Sequence, residues 1–128
     1  MDHCVLCSPE ADEQQKIIFE NKSCYFIQKD QRILKGSGLI VPKSHKTTVF
    51  DLSKEEWMDT QEMIQRVKEW LDDTLQPDGY NIGYNCYKTG GQHIFHAHMH
   101  IIPRFQDEPH AGKGIRHWLK QEENKRYI

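Results

Sequence analysis

The sequence predicts an α+β fold: an antiparallel β-sheet meander with one long central helix and a short C-terminal helix. Three observations carry this reading. β-prone runs on either side of Asn21-Lys22-Ser23 have hairpin spacing, a capped segment with helical periodicity follows Ser53, and two more β-prone stretches lie between Gly79 and Pro103. All 128 residues are expected to form one domain, large enough for a core without disulfide staples.

Taken in order, the first elements are Ile17 to Glu20 and Cys24 to Ile27, the two arms of the hairpin. Gly36-Ser37-Gly38 leads into Leu39-Ile40-Val41, an apolar run that Pro42 stops and that reads as a buried strand. Ser53-Lys54-Glu55-Glu56 has the form of a capping box, in which the hydroxyl and the carboxylate each satisfy a backbone N–H that the helix leaves unpaired. Trp57, Ile64, Val67, Leu71 and Leu75 then recur at helical spacing, so the helix should run to about Gln76, before Pro77. After the Asp78-Gly79 turn, Tyr80, Ile82 and Tyr84 alternate with Asn81, Gly83 and Asn85, which predicts a strand from Tyr80 to Tyr87. Gly90-Gly91 makes the next turn, and a strand is expected from Ile94 to Ile102, ended by Pro103. Ile115 to Lys120 predicts the short helix.

Composition removes several function classes. With 17 basic and 19 acidic residues the formal charge is −2, which gives no electrostatic reason to expect nucleic acid as a partner. No apolar run approaches the roughly 20 residues of a membrane span, and Met1-Asp2-His3-Cys4 lacks the basic-then-apolar pattern of a secretory leader. The expected home is therefore the cytoplasm, where the four cysteines serve as thiols or metal ligands.

The eight histidines are the unusual feature. In a strand, His96, His98 and His100 would share one face, with Ala97, Met99 and Ile101 on the other. Such a row can be a metal cluster, or a nucleophilic imidazole flanked by hydrogen-bonding neighbours, and the second arrangement suits electrophilic phosphorus. Gly90-Gly91 would let the backbone approach a phosphate closely. Cys4-x-x-Cys7 is half of a common zinc motif; redox-active or structural thiols are its other readings.

Gly91-Gln92-His93-Ile94-Phe95-His96-Ala97-His98-Met99-His100-Ile101-Ile102 closely resembles the signature of the histidine triad (HIT) family. Leu39-Ile40-Val41-Pro42-Lys43-Ser44-His45 resembles its second landmark strand, and Asn85 stands where the family carries an active-site asparagine. The resemblance spans roughly residues 4 to 105, closest to the bacterial zinc-containing branch. It implies a HIT-like sheet in a protein that is commonly a homodimer. It also implies a nucleotide hydrolase or transferase acting on phosphoramidates, adenylates or dinucleoside polyphosphates.

Residue by residue, the resemblance implies that His98 is the nucleophile and that His100 binds phosphate oxygens or orients it. Asn85, Gly91, Gln92 and His93 would line the substrate site, and Cys4, Cys7, His45 and His96 would hold a structural Zn2+. Residues 1–16 become a zinc-binding segment and 106–128 a segment that sets specificity, or else a surface helix with one packed tryptophan.

Three positions depart from the family pattern. His93 replaces a hydroxyl residue, Ser37 replaces a histidine, and Lys29 replaces the acid that grips the ribose, with Asp30 one position later, on the opposite face of a strand. These departures keep two rivals open: a non-catalytic nucleotide- or protein-binding module on the same fold, and a metallohydrolase with a catalytic metal on His96, His98 and His100.

Overall fold

Asn21 makes the first turn: its side-chain oxygen accepts from the backbone N–H of Ser23 (3.1 Å) and Cys24 (3.0 Å). In this computed structural model, which describes residues 4–127, the turn joins β1 (Gln15–Glu20) to β2 (Cys24–Lys29). The pairing is antiparallel, Ile17 to Ile27 and Phe19 to Phe26, with a bulge between. β3 (Gly38–Pro42) pairs antiparallel with β2. After the helix come β4 (Gly79–Tyr84) and β5 (Met99–Arg104). β5 enters between β3 and β4, giving the five-stranded order β1-β2-β3-β5-β4.

Helix α1 spans Lys54–Leu75 and starts as expected. Ser53 Oγ accepts from Glu56 N at 3.1 Å while Glu56 Oε1 accepts from Ser53 N at 2.8 Å. Gln76 closes the helix in the left-handed conformation (φ 53°), and Pro77 follows. The buried stripe is Thr60, Met63, Val67 and Leu71, with Ile64 and Leu75 at its margins. Trp57, expected at the head of that stripe, is 45% exposed. It lies where the helix begins, edge-on to Tyr84 at the end of the outer strand (6.3 Å between rings).

Register assigns each face of the sheet. Phe26 stands opposite Ile40, Ile40 opposite Met99, and Met99 opposite Tyr84, so these share the face that packs on α1. Ile27, Leu39 and His100 form the corresponding row on the other face. A smaller cluster covers part of that face: Leu6 from the N-terminal segment, fully buried, packs on Ile27 and Val41, with Leu39 and Ile94 alongside. The N-terminal segment is held there by the Gln15 amide, which donates to the carbonyls of Val5 (3.1 Å) and Pro9 (3.2 Å). Buried Cys24 belongs to the helix-side core, and burial pushes its thiol up to about 11, so it stays protonated.

Two strand predictions miss their bounds, and β5 runs through Pro103 to Arg104 instead of stopping before the proline. The β4 strand ends at Tyr84, short of Tyr87, and β5 begins only at Met99, five residues after the expected Ile94. The reason is competition for hydrogen bonds. Between 92 and 97 the chain bonds to the 42–47 loop: Ala97 N donates to Lys46 O (2.7 Å), and the Gln92 amide donates to Thr47 O (2.6 Å).

Beyond β5, Arg104 gathers the C-terminal segment. Its guanidinium donates to Glu108 (2.7 Å) and to the carbonyls of His110 and Lys113 (2.8 Å each). Helix α2 (Ile115–Leu119) follows; its Trp118 lies edge-on to His110 and His117 and is 53% exposed. Among the described residues no helix is long and apolar enough to cross a membrane. The first three residues of the proposed 1–16 segment, and residue 128 of 106–128, lie outside the described residues.

Candidate active site and metal centre

The three histidines fall into two contact groups. Only His100 stands in β5; His96 and His98 precede it, in the stretch bonded to the 42–47 loop, and residues 96–99 are all buried instead of alternating. The consequence is a division. His96 turns to one cluster, and His98 faces His100, ring centroids 5.1 Å apart.

The first cluster joins Cys4, Cys7, His45 and His96, whose ligand atoms all lie within 4.8 Å of one another. Cys7 Sγ is 3.1 Å from His45 Nδ1 and 3.5 Å from His96 Nδ1, Cys4 Sγ is 3.5 Å from His96 Nδ1, and the two Nδ1 atoms are 3.2 Å apart. A tetrahedral zinc site with ordinary Zn–S and Zn–N bonds has edges of about 3.3 to 3.8 Å, so these donors fit zinc. The protonation state fits as well. His96 Nε2 donates to Pro42 O at 2.8 Å, which leaves the Nδ1 lone pair aimed into the cluster. Burial, with smaller contributions from His45 and His98, outweighs the Pro42 bond and lowers the pKa of His96, favouring the neutral form a ligand needs. Burial and the adjacent Cys4 thiol push the Cys7 thiol up, so two thiolates side by side here require a cation.

The second group pairs His98 with His100. His98 is 8% exposed, and its Nδ1–H donates to the carbonyl of His96 at 2.8 Å. That bond fixes the tautomer and leaves Nε2 with a free electron pair. His100 is half-buried; burial, then His98, lowers its pKa and keeps it neutral. The metal-ligand candidate and the nucleophile candidate are thus linked through one peptide carbonyl, that of His96.

The remaining predicted residues fall into three situations. Asn85 packs over Gly91, where an added Cβ would lie 3.8 Å from Asn85 Cγ, and Gly91 adopts φ 96°, a conformation that favours glycine. Gln92 is 1% exposed and fully committed: its amide donates to Thr47 O and Ile94 O, and its oxygen accepts from Tyr87 N. It pins the loop, and its side chain holds no free donor for a phosphate. His93 is exposed on the same loop, with no side-chain hydrogen bond among the described residues.

A cavity of about 280 Å³ opens beside His100, which the side-chain pattern alone did not disclose. Ile27, Leu34, Leu39 and Ile102 give it an aliphatic lining, and Gln15, Gln28, Gln31, Lys29 and Ser37 supply polar groups. Lys29 and Ser37 drew notice in the sequence only as departures. Their partners in this cavity come from β1, β3 and β5, which only the sheet register brings together.

Residues 10–107 match the HIT domain. The chain is 28% identical to Protein hit of Bacillus subtilis over 105 residues, 81% of this chain and 72% of that one. It is 32% identical to the bis(5'-adenosyl)-triphosphatase of Dictyostelium discoideum over 91 residues, 71% of this chain and 61% of that protein's length. Among solved structures, a Zn-bound histidine triad family protein from Mycobacterium smegmatis superposes with a TM-score of 0.74 at 26% identity, covering 88% of this chain and 83% of that one.

Proposed function

The chain belongs to the HIT family, and from that premise we propose that it hydrolyses or transfers a nucleotide at its α-phosphate through a nucleotidyl intermediate on His98. The observation that carries the proposal is the 2.8 Å bond from His98 Nδ1 to the His96 carbonyl, which presents Nε2 as an unprotonated nucleophile. Nε2 attacks the α-phosphorus; a P–N bond forms as the bond to the leaving group breaks. The positive charge that develops on the imidazole is shared with Nδ1–H and stabilised by the carbonyl it already faces. Water then cleaves the P–N bond and releases the nucleoside monophosphate.

Around this step, His100 donates to a phosphate oxygen or holds His98 in place. Asn85 and the Gly91 backbone lie along the phosphate, Gln92 shapes the loop that carries them, and His93 hands a proton to the leaving group. The aliphatic cavity beside His100 receives the nucleoside. Relatives lend support, since one that covers most of this chain is named a bis(5'-adenosyl)-triphosphatase.

Cys4, Cys7, His45 and His96 would hold a structural zinc ion; all four protein positions are filled, the mark of a closed site with no position left for substrate. Bound there, zinc supplies a clamp that ties the N-terminal segment to the loop carrying His96. The metallohydrolase reading is weakened because the ligand nitrogen of His96 groups with Cys4, Cys7 and His45. We further place the protein in the cytoplasm, as a homodimer, with 106–128 setting specificity.

Release of nucleoside monophosphate from a panel of nucleoside phosphoramidates and dinucleoside polyphosphates tests the proposal. Wild type should release it, and His98→Ala should lose at least about a thousandfold, the scale expected when a nucleophile is removed. Tight nucleotide binding with no product from any substrate would favour the non-catalytic binding module instead.

A further inference from the structure

Among the described residues, the lining of the cavity beside His100 has one permanently charged side chain, Lys29, and no carboxylate. Its place follows from the register. Ile27 stands opposite Leu39 and Leu39 opposite His100, so all three share the site face; Lys29, two residues beyond Ile27, shares it too, with Gln15 opposite. Asp30, the next residue, is turned away. It lines a neighbouring recess of about 560 Å³ against Trp70 and Leu71 of α1, whose rim Lys29, Gln28, Gln31 and Ser37 share, and is absent from the lining beside His100.

A free ribose diol is recognised by an acidic side chain that accepts from its hydroxyls, whereas a cation at that place suits a sugar that already carries a phosphate. Lys29 and His100 are separated by two strand spacings and one two-residue step, about 12 Å between α-carbons. That span suits a nucleoside with one phosphate near the histidines and a second on the sugar. Lys29 is also available for the task. Its ion pair with Asp12 at 3.2 Å is half-exposed (49% on the lysine side), and such a pair yields readily to a doubly charged phosphate.

We propose that the preferred ligand is a nucleotide bearing a second phosphate at the 2′ or 3′ position of its ribose, with Lys29 Nζ contacting that phosphate. The inference rests on the nucleotide reading of the His98–His100 site and specifies its substrate class.

Calorimetric affinities of adenosine 5′-monophosphate, adenosine 2′,5′-bisphosphate and adenosine 3′,5′-bisphosphate, for wild type, Lys29→Met and Lys29→Glu, test it. One bisphosphate should bind wild type about tenfold or more tightly than the monophosphate, the equivalent of one charge-assisted contact. The ratio should fall towards one in Lys29→Met and below one in Lys29→Glu, and which isomer wins identifies the position. A wild-type ratio near one for both isomers, a preference that survives Lys29→Met, or no binding of any of the three would overturn it. Turnover measured in parallel separates the two ideas. Monophosphate release that requires His98, without any bisphosphate preference, sinks this inference alone, whereas a Lys29-dependent preference without turnover sinks the catalytic reading alone.

Discussion

At the scale of single residues, the site depends on which atom of each side chain is already occupied. His96 has both ring nitrogens assigned, one to the Pro42 carbonyl and one to the cluster with Cys4, Cys7 and His45, and its own carbonyl accepts from His98. The identities of His98, His100, Cys4 and Cys7 were legible in the sequence because side-chain chemistry and spacing announce them. The orienting carbonyls of Pro42 and His96 were not, since every residue carries one and only the fold selects which is used. The sequence likewise placed Gln92 at the phosphate, whereas the structure spends its side chain on three backbone groups. Gln92→Ala should therefore destabilise the protein by about 2–4 kcal/mol, because Tyr87 N, Thr47 O and Ile94 O lose buried partners. Thermal unfolding measures this; an unchanged melting temperature with lost activity would restore a direct role for the amide at the phosphate.

His100 carries a pH prediction at the same scale. Its folded pKa is depressed, first by burial and then by His98, below the ordinary value of about 6.5 that it regains on unfolding. Above pH 6.5 it is neutral in both states and costs nothing. As pH falls from 6.5 through the depressed folded value, the unfolded chain takes up the proton first and stability is lost. Urea unfolding of wild type and His100→Asn between pH 7.5 and 5 isolates the effect, because acid release of any bound metal is common to both. The wild type should lose more stability across that window; parallel curves would show that His100 does not titrate as argued.

At the scale of elements, local signals and long-range pairing had different visibility. The hairpin turn at Asn21, the Ser53 capping box and the stop at Pro77 are decided by neighbouring residues, and each stands where local chemistry put it. Ser53→Ala should cost about 1 kcal/mol through loss of the cap, read as a drop in urea midpoint with an unchanged slope. A neutral effect would mean that water replaces the hydroxyl. The start of β5 was misread because Ile94 to Met99 has strand-like alternation, yet Ala97 N and the His96 ring pair with Lys46 and Pro42, 51 and 54 residues away in the chain. Trp57 has a similar cause: helical periodicity gives the stripe but not where the sheet beneath it ends.

At the scale of the whole molecule, the sheet separates two tasks. One face packs on α1 as the main core, and the other carries the site and is partly covered by the N-terminal segment through Leu6. The proposed metal cluster stands at the seam, joining that segment to the loops that hold His45 and His96. Structural zinc in small domains contributes on the order of 10 kcal/mol; with a separate helix-packed core here, chelation or Cys7→Ser should cost several kcal/mol and loosen the segment around Leu6. Metal analysis of the purified protein, with melting before and after chelator, checks this. A protein that contains no zinc, or that melts identically without it, would refute the clamp. The family itself was legible from the triad and its outlying landmarks, whereas the cavity lined by Lys29, Leu39, His100 and Ile102 needed three strands to be in register before it existed.

The covalent step on His98 is tested most directly by trapping it. Wild type mixed with a reactive nucleoside phosphoramidate and quenched within one turnover in alkali, where P–N bonds survive, should carry a nucleotidyl mass on the peptide containing His98. His98→Ala should carry none. Steady turnover without any adduct, or an equal adduct on the His98→Ala protein, would contradict the mechanism.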